Sequence, residues 1–563
     1  MSSCEYNIAK VVVGLPVDGP FDYKVTEERR AYIQVGQRVK VMFNRRRMVG
    51  YIVGFAETSE FENVSPILTV LDKTPSLNAA ALQLTKKLSE YYGCSWGEAI
   101  ECYLPAVLRA PRLLAEQFPE EKPLSGNPVK NQLILDPGQQ ERWPLIIDAV
   151  RKSWQAGEGI IFLVPEVALL KDIEQKLKKE IPGIGLTVYE RGLSTAEAVK
   201  QWVSVRLGKV TVVLGTRSAI FAPVRNLKTV IVYDEDNAAY KQEQSPHYHV
   251  NQIARWRKDI SGGCLMLASS LPSVESWHTA RQEKWDITVC PSEHLAKVMP
   301  VDLTNFNPKV HSFLSFPLQN KINETLQQKG KVVMFINRSG YEVTMEETLG
   351  RFAKRVAKFF PQADIKTFFK ETKNLSRDFD ILIATQAIFR MREQLRVNMA
   401  AMINFDDELN RMDYRSSHKA LAAMMHLRRL STDAVVVQTF LADNHCLKTA
   451  KNLNLEEFYH DELELRRDMN LPPFEHMISV TLRGDDEKAL EQYAQDLYQR
   501  LEDRLMKKAE VMAPHPLSVL RKKFRQNILL KGPEVEPILA VIKEALKDMK
   551  RKRKIVIVIN VDP

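Results

Sequence analysis

The chain has 563 residues, 45% hydrophobic and 27% charged, the proportions of an ordinary globular protein with room for roughly three to five domains. Its 80 Lys and Arg outnumber its 70 Asp and Glu, giving a net charge of +10 and a pI near 9.0, a balance that favours a polyanionic partner. The first residues carry no basic leader ahead of a long apolar run, and no stretch approaches about 18 uninterrupted apolar residues, so neither secretion nor a membrane span is expected.

In chain order, residues 6–55 read as a small β-rich unit. Gly36–Phe43 and Met48–Phe55 alternate apolar and polar residues and are joined by Asn44-Arg45-Arg46-Arg47, a basic hairpin signal. Helical periodicity over Ala80–Tyr92 stops at Gly93. Residues 110–134, rich in Pro, Glu, Lys, Ser, Gly and Asn, read as a linker. Bounded apolar runs then alternate with helical ones. Ile160–Val164, Val210–Leu214, Thr229–Tyr233 and Cys264–Ala268 form one series; Lys331–Ile336, Asp380–Ile383, Ala400–Phe405 and Ala434–Gln438 form a second. Runs of this kind predict two consecutive lobes with parallel sheets. From about Leu441 the pattern is α+β, with amphipathic helices at 487–508 and 533–547 and a last strand at Lys554–Asn560 behind the basic cluster Lys550–Lys554.

Six cysteines, at positions 4, 94, 102, 264, 290 and 446, form no CxxC pair. They read as scattered reduced thiols of a cytoplasmic protein, without a thiolate scaffold for zinc.

Four blocks of residues resemble the PriA family (primosomal protein N′). The first contains Phe21-Asp22-Tyr23, Gly36-x-Arg38-Val39-x-Val41-x-Phe43 and Leu104-Pro105-x-x-Leu108-Arg109. The second contains Leu163-Val164-Pro165-Glu166, Gly215-Thr216-Arg217-Ser218, Asp234-Glu235, Tyr240-Lys241-Gln242-Glu243 and Tyr248-His249. The third is Asn337-Arg338-x-Gly340-Tyr341 with Thr385-Gln386. The fourth is Glu462-Leu463-x-x-Arg466, Leu471-Pro472-Pro473-Phe474 and Val561-Asp562-Pro563. The resemblance implies a multidomain α/β protein: a 3′-end DNA-binding domain (1–109), the linker (110–134), two RecA-like helicase lobes (135–300 and 301–440, the second without a zinc insertion), and a C-terminal α+β domain for DNA or partners (441–563).

Members of that family are ATP-dependent 3′→5′ DNA helicases of replication restart. A phosphate-binding loop needs clustered glycines whose N–H groups cradle the phosphates, followed by Lys and Ser or Thr. This chain has no Gly-Lys-Thr or Gly-Lys-Ser. Leu135-Asp-Pro-Gly-Gln139-Gln140 and then Ala156-Gly-Glu-Gly159 precede the Val164-Pro165-Glu166 strand instead, with Gln139 the one candidate nucleotide contact and Gly157 and Gly159 an ordinary turn. Asp234 and Glu235 are the remnant of the acidic motif that would hold Mg²⁺ and polarise a water; the favoured reading is a polar strand end that caps the next helix. Ser269-Ser270-Leu271-Pro272 stands where the family has Ser-Ala-Thr. Asp433 falls near the position of the arginine finger, for which Arg428 or Arg429 would need a shift of register. No cysteine pairs follow Tyr341, and the linker is too short for the family's winged helix.

No cofactor is therefore expected, ATP/Mg²⁺ and zinc being implied by the family alone, with no metal ligand nominated. DNA contacts are expected at Phe21, Asp22 (which in the family meets the terminal 3′-hydroxyl), Tyr23, Arg38, Arg45, Arg46, Arg47, Arg217, Tyr240, Lys241, Tyr248, Arg521, Lys523 and Arg525. The family's lysine for the terminal nucleotide aligns near Ser65. The favoured expectation is a cytoplasmic, nucleoid-associated protein without ATPase activity that binds forked or branched DNA and works with primosome proteins and the loader of the replicative helicase. The alternatives are an active 3′→5′ helicase, or a decayed relative serving protein contacts only.

Overall fold

A computed structural model describes residues 7–119, 129–189, 193–292, 295–304, 313–336, 345–372, 378–391, 395–411, 413–506, 508–520, 522–549 and 554–563. The first sheet is antiparallel: β1 (Ile8–Val13), β2 (Phe21–Lys24), β3 (Arg38–Phe43), β4 (Arg46–Ala56) and β5 (Thr69–Val70) lie in the order β2-β1-β4-β3-β5. The β3–β4 turn is tighter than expected. Only Asn44 and Arg45 form it, both with positive φ (45° and 62°), the geometry of a two-residue hairpin turn whose twist matches the strands. Arg46 and Arg47 accordingly open β4. The helix Ala79–Tyr92 ends at Gly93, whose φ of 68° needs no Cβ to be accommodated.

The second sheet is wholly parallel. It holds β6 (Gln132–Leu135), β7 (Gly159–Leu163), β8 (Leu186–Tyr189), β9 (Val212–Gly215), β10 (Leu227–Tyr233), β11 (Cys264–Ser269) and β12 (Asp286–Val289), ordered β12-β6-β11-β10-β7-β9-β8. β7 and β10 are buried throughout, which is why they read as unbroken apolar runs. The strands that sequence pattern misses are four residues long: the two outermost, β8 and β12, with half-exposed or exposed faces, and β6, whose first three residues lie inside the 110–134 stretch read as linker. The third sheet, also parallel, holds β13 (Lys297–Asp302), β14 (Val332–Phe335), β15 (Ile365–Phe368), β16 (Ile381–Ala384), β17 (Val397–Met402) and β18 (Ser431–Thr439), ordered β13-β18-β17-β14-β16-β15. β13 already pairs with β18, so the passage between the lobes falls before Lys297.

The last sheet is antiparallel: β19 (His476–Gly484), β20 (Glu510–Val511), β21 (His515–Leu520), β22 (Lys523–Gly532) and β23 (Val556–Val561), ordered β20-β22-β19-β23 with β21 on β22. The helices Glu487–Leu505 and Val535–Asp548 cover it. One contiguous apolar core joins Leu88 and Tyr92 of the N-terminal helix, Ile253 and Trp256 of the first lobe, Tyr459, and Leu539 beneath the last sheet. The four sheets are thus packed against a common interior. The five described cysteines are free thiols, and no described helix is long and apolar enough to cross a membrane.

Candidate functional site

In an open parallel sheet ligands sit beyond the carboxyl ends of the strands, and a helix N-terminus there attracts anions. In the first lobe that place lies beyond β6, β11 and β10, at the start of the helix Arg142–Gln155. It is lined by the protein's own charges, with Nε and Nη2 of the buried Arg142 left without a hydrogen-bond partner among the described residues. Asp136, fully buried, turns its carboxylate onto the helix start and accepts from the backbone N–H groups of Gln139 (2.9 Å) and Arg142 (3.0 Å). Arg142, also fully buried, donates from Nη1 to Asp234 Oδ1 at 2.8 Å. Its guanidinium lies 3.9 Å from the centre of the Tyr233 ring. Burial works against the charge on Arg142, but Tyr233, Asp234 and Asp136 more than offset it and hold the group above its usual range.

The next carboxylate, Glu235, is also fully buried. It accepts from Ser273 N (2.6 Å), Ser273 Oγ (3.1 Å), Ser276 Oγ (2.9 Å) and Asn251 Nδ2. It therefore caps the helix Val274–Gln282, a later helix than sequence proximity suggests; Asn237 caps the short turn that comes next. Burial and the neighbouring Asp236 push Glu235 up to about 7.

The Ser269–Pro272 segment is gripped from outside its lobe. Leu271 is fully buried, and the carbonyls of Leu271 and Pro272 lie 3.2 and 2.9 Å from His418 Nε2, which must donate since a carbonyl only accepts. Tyr459 donates its hydroxyl to Pro272 O at 2.6 Å, while its ring stacks on Trp277 at 4.4 Å. Arg428 is committed within the fold, donating to the carbonyls of Ala296 (2.7 Å) and Ala450 (2.5 Å). Asp433 is exposed on β18.

The N-terminal sheet has a different character. Antiparallel pairing sets Lys10 opposite Asp22, and Lys10 Nζ lies 2.7 Å from Asp22 Oδ1. Ser59 donates to the other oxygen at 2.6 Å. Burial works against ionisation of Asp22, but Lys10 and Ser59 together hold it below the usual carboxylate range. Phe21 packs edge-on against Phe43, ring centres 4.8 Å apart, and Phe43 pairs with Arg46 across the hairpin. Asp22 and the basic hairpin tip thereby share one end of the sheet. Arg45, Arg46 and Arg47 are all exposed.

Other expected contacts are turned inward. Tyr23 is buried and donates to Met42 O at 2.9 Å. Arg38 is fully buried against Asp72, with Nε 2.9 Å from Oδ1 and further bonds to the carbonyls of Leu108 and Arg112. A guanidinium used in this way fixes the fold and cannot reach a phosphate. Tyr240 is fully buried with its hydroxyl on Tyr233 O (2.7 Å), and Tyr248 packs on Phe221, so neither ring is available to stack on a base. Arg217 donates to the carbonyls of Ala239 (2.5 Å) and Lys241 (2.8 Å), bracing this loop. Lys241 Nζ bonds to the carbonyls of Val561 and Asp562. In the C-terminal sheet Lys523 is exposed and paired with Asp485, and Arg525 reaches Ser518 O at 3.4 Å. Arg521, residues 550–553 and the Asn337–Tyr341 segment lie outside the described residues. Gln139 contributes its backbone N–H to Asp136 rather than a contact to any ligand.

Sequence reading missed Asp136, Arg142, His418, Lys10 and Ser59. Only Lys10 left a local signal, the strand pairing that sets it opposite Asp22; the others become legible once distant strand ends are brought together.

The family model described as the 3′ DNA-binding domain (3′BD) of PriA matches residues 10–105, and that described as the primosomal protein N C-terminal domain matches residues 467–563. The chain is similar to the replication restart protein PriA of Rickettsia conorii, 23% identical over 93% of this chain and 94% of that protein. That of Treponema pallidum is 21% identical over 98% and 99%. With the Synechocystis sp. protein the identity is 25%, over 67% of this chain and 56% of the relative, so there the chain spans little more than half the relative's length. Among solved structures, RecG bound to a three-way DNA junction superposes with a TM-score of 0.39 at 13% identity, covering 70% of this chain and 47% of the other. The chain thus matches PriA-type domain models at both ends, and its sequence across most of its length is similar to replication restart proteins named PriA.

Proposed function

We propose that this protein binds branched DNA bearing a free 3′ end and scaffolds replication restart without hydrolysing ATP. The observation that carries the reading is the buried Arg142–Asp234 pair. It occupies the strand-end position where a nucleotide's phosphates and metal would sit, and the Asp136 carboxylate already uses the N–H groups of the helix start. Displacing a buried, paired arginine would leave Asp234 uncompensated, a cost of about 3–5 kcal/mol. The exposed arginines of the hairpin suit phosphate contacts, and Asp22, kept ionised by Lys10 and Ser59, is an acceptor suited to a terminal hydroxyl.

On this reading residues 1–109 hold the DNA end and residues 441–563 meet duplex or partner, near Lys523 and Arg525. Primosome proteins and the loader of the replicative helicase are the partners that the similarity to PriA suggests, and the nucleoid is the place of work. Binding of a fluorescent fork with a 3′-hydroxyl or 3′-phosphate leading end, measured beside ATP turnover, tests the proposal. Preference for the hydroxyl that disappears in Asp22→Asn, with no turnover, is the expected result. DNA-stimulated turnover would overturn it in favour of an active helicase.

A further inference from the structure

The two faces of the C-terminal sheet differ in what they carry. Ile478, Val480, Leu482, Ile528 and Leu530 turn inward, into the core shared with the helices Glu487–Leu505 and Val535–Asp548. The alternate residues of β19 and β22 therefore share the opposite face. On that face antiparallel pairing sets Arg483 directly across from Arg525, with Val556 beyond Arg483 and Leu517 beyond Arg525. Both arginines are half-buried, and Val556 is exposed. Like charges directly opposite one another across a strand pair repel and cost stability. Nothing in the folding of the sheet calls for such a pair, but an anion lying between the two guanidiniums would reverse its sign.

The rest of the face leaves the pair positive. Lys523 is answered by Asp485, and Lys531 lies 3.2 Å from Glu510. Asp562, past the far end of β23, is taken by His476 at 2.9 Å. Arg483 forms no ion pair among the described residues. His247 registers its charge: burial first, then Lys241 and Arg483, hold that imidazole below its usual range despite its bond to Gln242 O. Beside the arginines the next row is polar and uncharged, with Ser479 and Thr481 donating to Asn527 Oδ1 at 2.6 and 3.1 Å.

The same face says which polyanion fits. Single strands are held largely by bases stacking on aromatic rings. The one phenyl ring of these strands, Phe524, packs against the core instead. A positive face without rings suits the backbone of a duplex, which presents phosphates without offering its bases.

We propose that this open face of the C-terminal sheet binds the sugar-phosphate backbone of duplex DNA, whatever its sequence, with Arg483 and Arg525 together gripping the phosphates. The inference rests on the reading that residues 441–563 meet DNA; it fixes duplex as the occupant and adds Arg483 as a contact.

Fluorescence anisotropy of the full chain over a series of salt concentrations tests it. The probes are a blunt duplex with phosphorylated 3′ ends, oligo-dT of the same length, and the fork with a 3′-hydroxyl or 3′-phosphate end. Duplex should bind more tightly than oligo-dT. For duplex, the slope of log affinity against log salt should flatten by about 1 unit in Arg483→Gln and about 2 in Arg483→Gln with Arg525→Gln, at ~0.9 per lost phosphate contact. The melting temperature should hold or rise in both variants, because the cross-strand repulsion is relieved. The fork's preference for a 3′-hydroxyl should persist, since Asp22 belongs to another sheet. An unchanged slope in variants of a parent that binds the fork overturns this inference alone. So does a fall in melting temperature, which would make the pair structural, or oligo-dT binding as tightly as duplex. A parent chain that binds neither fork nor duplex overturns the scaffold reading together with it.

Discussion

Two charged regions of this molecule, the strand ends of the first lobe and the tip of the N-terminal hairpin, treat their arginines in opposite ways. At the strand ends Arg142 is enclosed, stacked on Tyr233 and paired with Asp234. At the hairpin Arg45, Arg46 and Arg47 stand in solvent. A charge answered inside the fold is committed to stability, whereas a charge left in water remains free to meet a phosphate. The comparison teaches that what the fold places beside an arginine, more than the residue type, decides whether its charge is structural or available.

The largest expected effect tests the enclosed pair. Arg142→Met should lower stability by about 3–5 kcal/mol, because Asp234 is left buried and unanswered. Urea denaturation measures it. Adding Asp234→Leu should recover much of the loss; if it does not, the pair is not what closes the strand ends. Next, replacing Arg45, Arg46 and Arg47 by Ala should leave the melting temperature unchanged and weaken fork binding. The slope of log affinity against log salt should flatten by up to about 3 units, at ~0.9 per lost phosphate contact. An unchanged slope would make the hairpin a solvated turn and erase the contrast.

The smallest effect concerns Glu235. Its carboxyl moves from an ordinary 4.5 to about 7 on folding. Between those values the folded chain holds a proton that the unfolded chain has released, so stability from this group is complete below about 4.5 and declines as pH rises towards 7. Glu235→Gln should be less pH-dependent than the parent across that window, as measured by urea midpoints at pH 5 and 7.5. An identical pH profile would mean that Glu235 ionises normally and that the cap on the helix Val274–Gln282 is weaker than its four hydrogen bonds indicate.

The central strands and the amphipathic helices of the C-terminal unit were legible because burial on both faces or on one face leaves a periodic trace. The short β8 and β12 left none, being partly wet. In the candidate sites the local pattern was informative for exposed groups such as Arg45–Arg47, whose turn is encoded by adjacent residues. It misled at Arg38, Tyr240 and Tyr248. There the residue type suits nucleic acid, but the partners that decide the matter, Asp72, Tyr233 and Phe221, leave no mark in the local pattern. Arg142 and Asp234 are 92 positions apart, and only the parallel crossover between their strands brings them together.

The bonds that His418 and Tyr459 make to the Leu271–Pro272 backbone have a mechanical consequence. The Leu271–Pro272 turn is held from two directions, by the helix that carries His418 and by the helix that carries Tyr459, so a shift of the first lobe against either helix must break a bond to the lobe's own backbone.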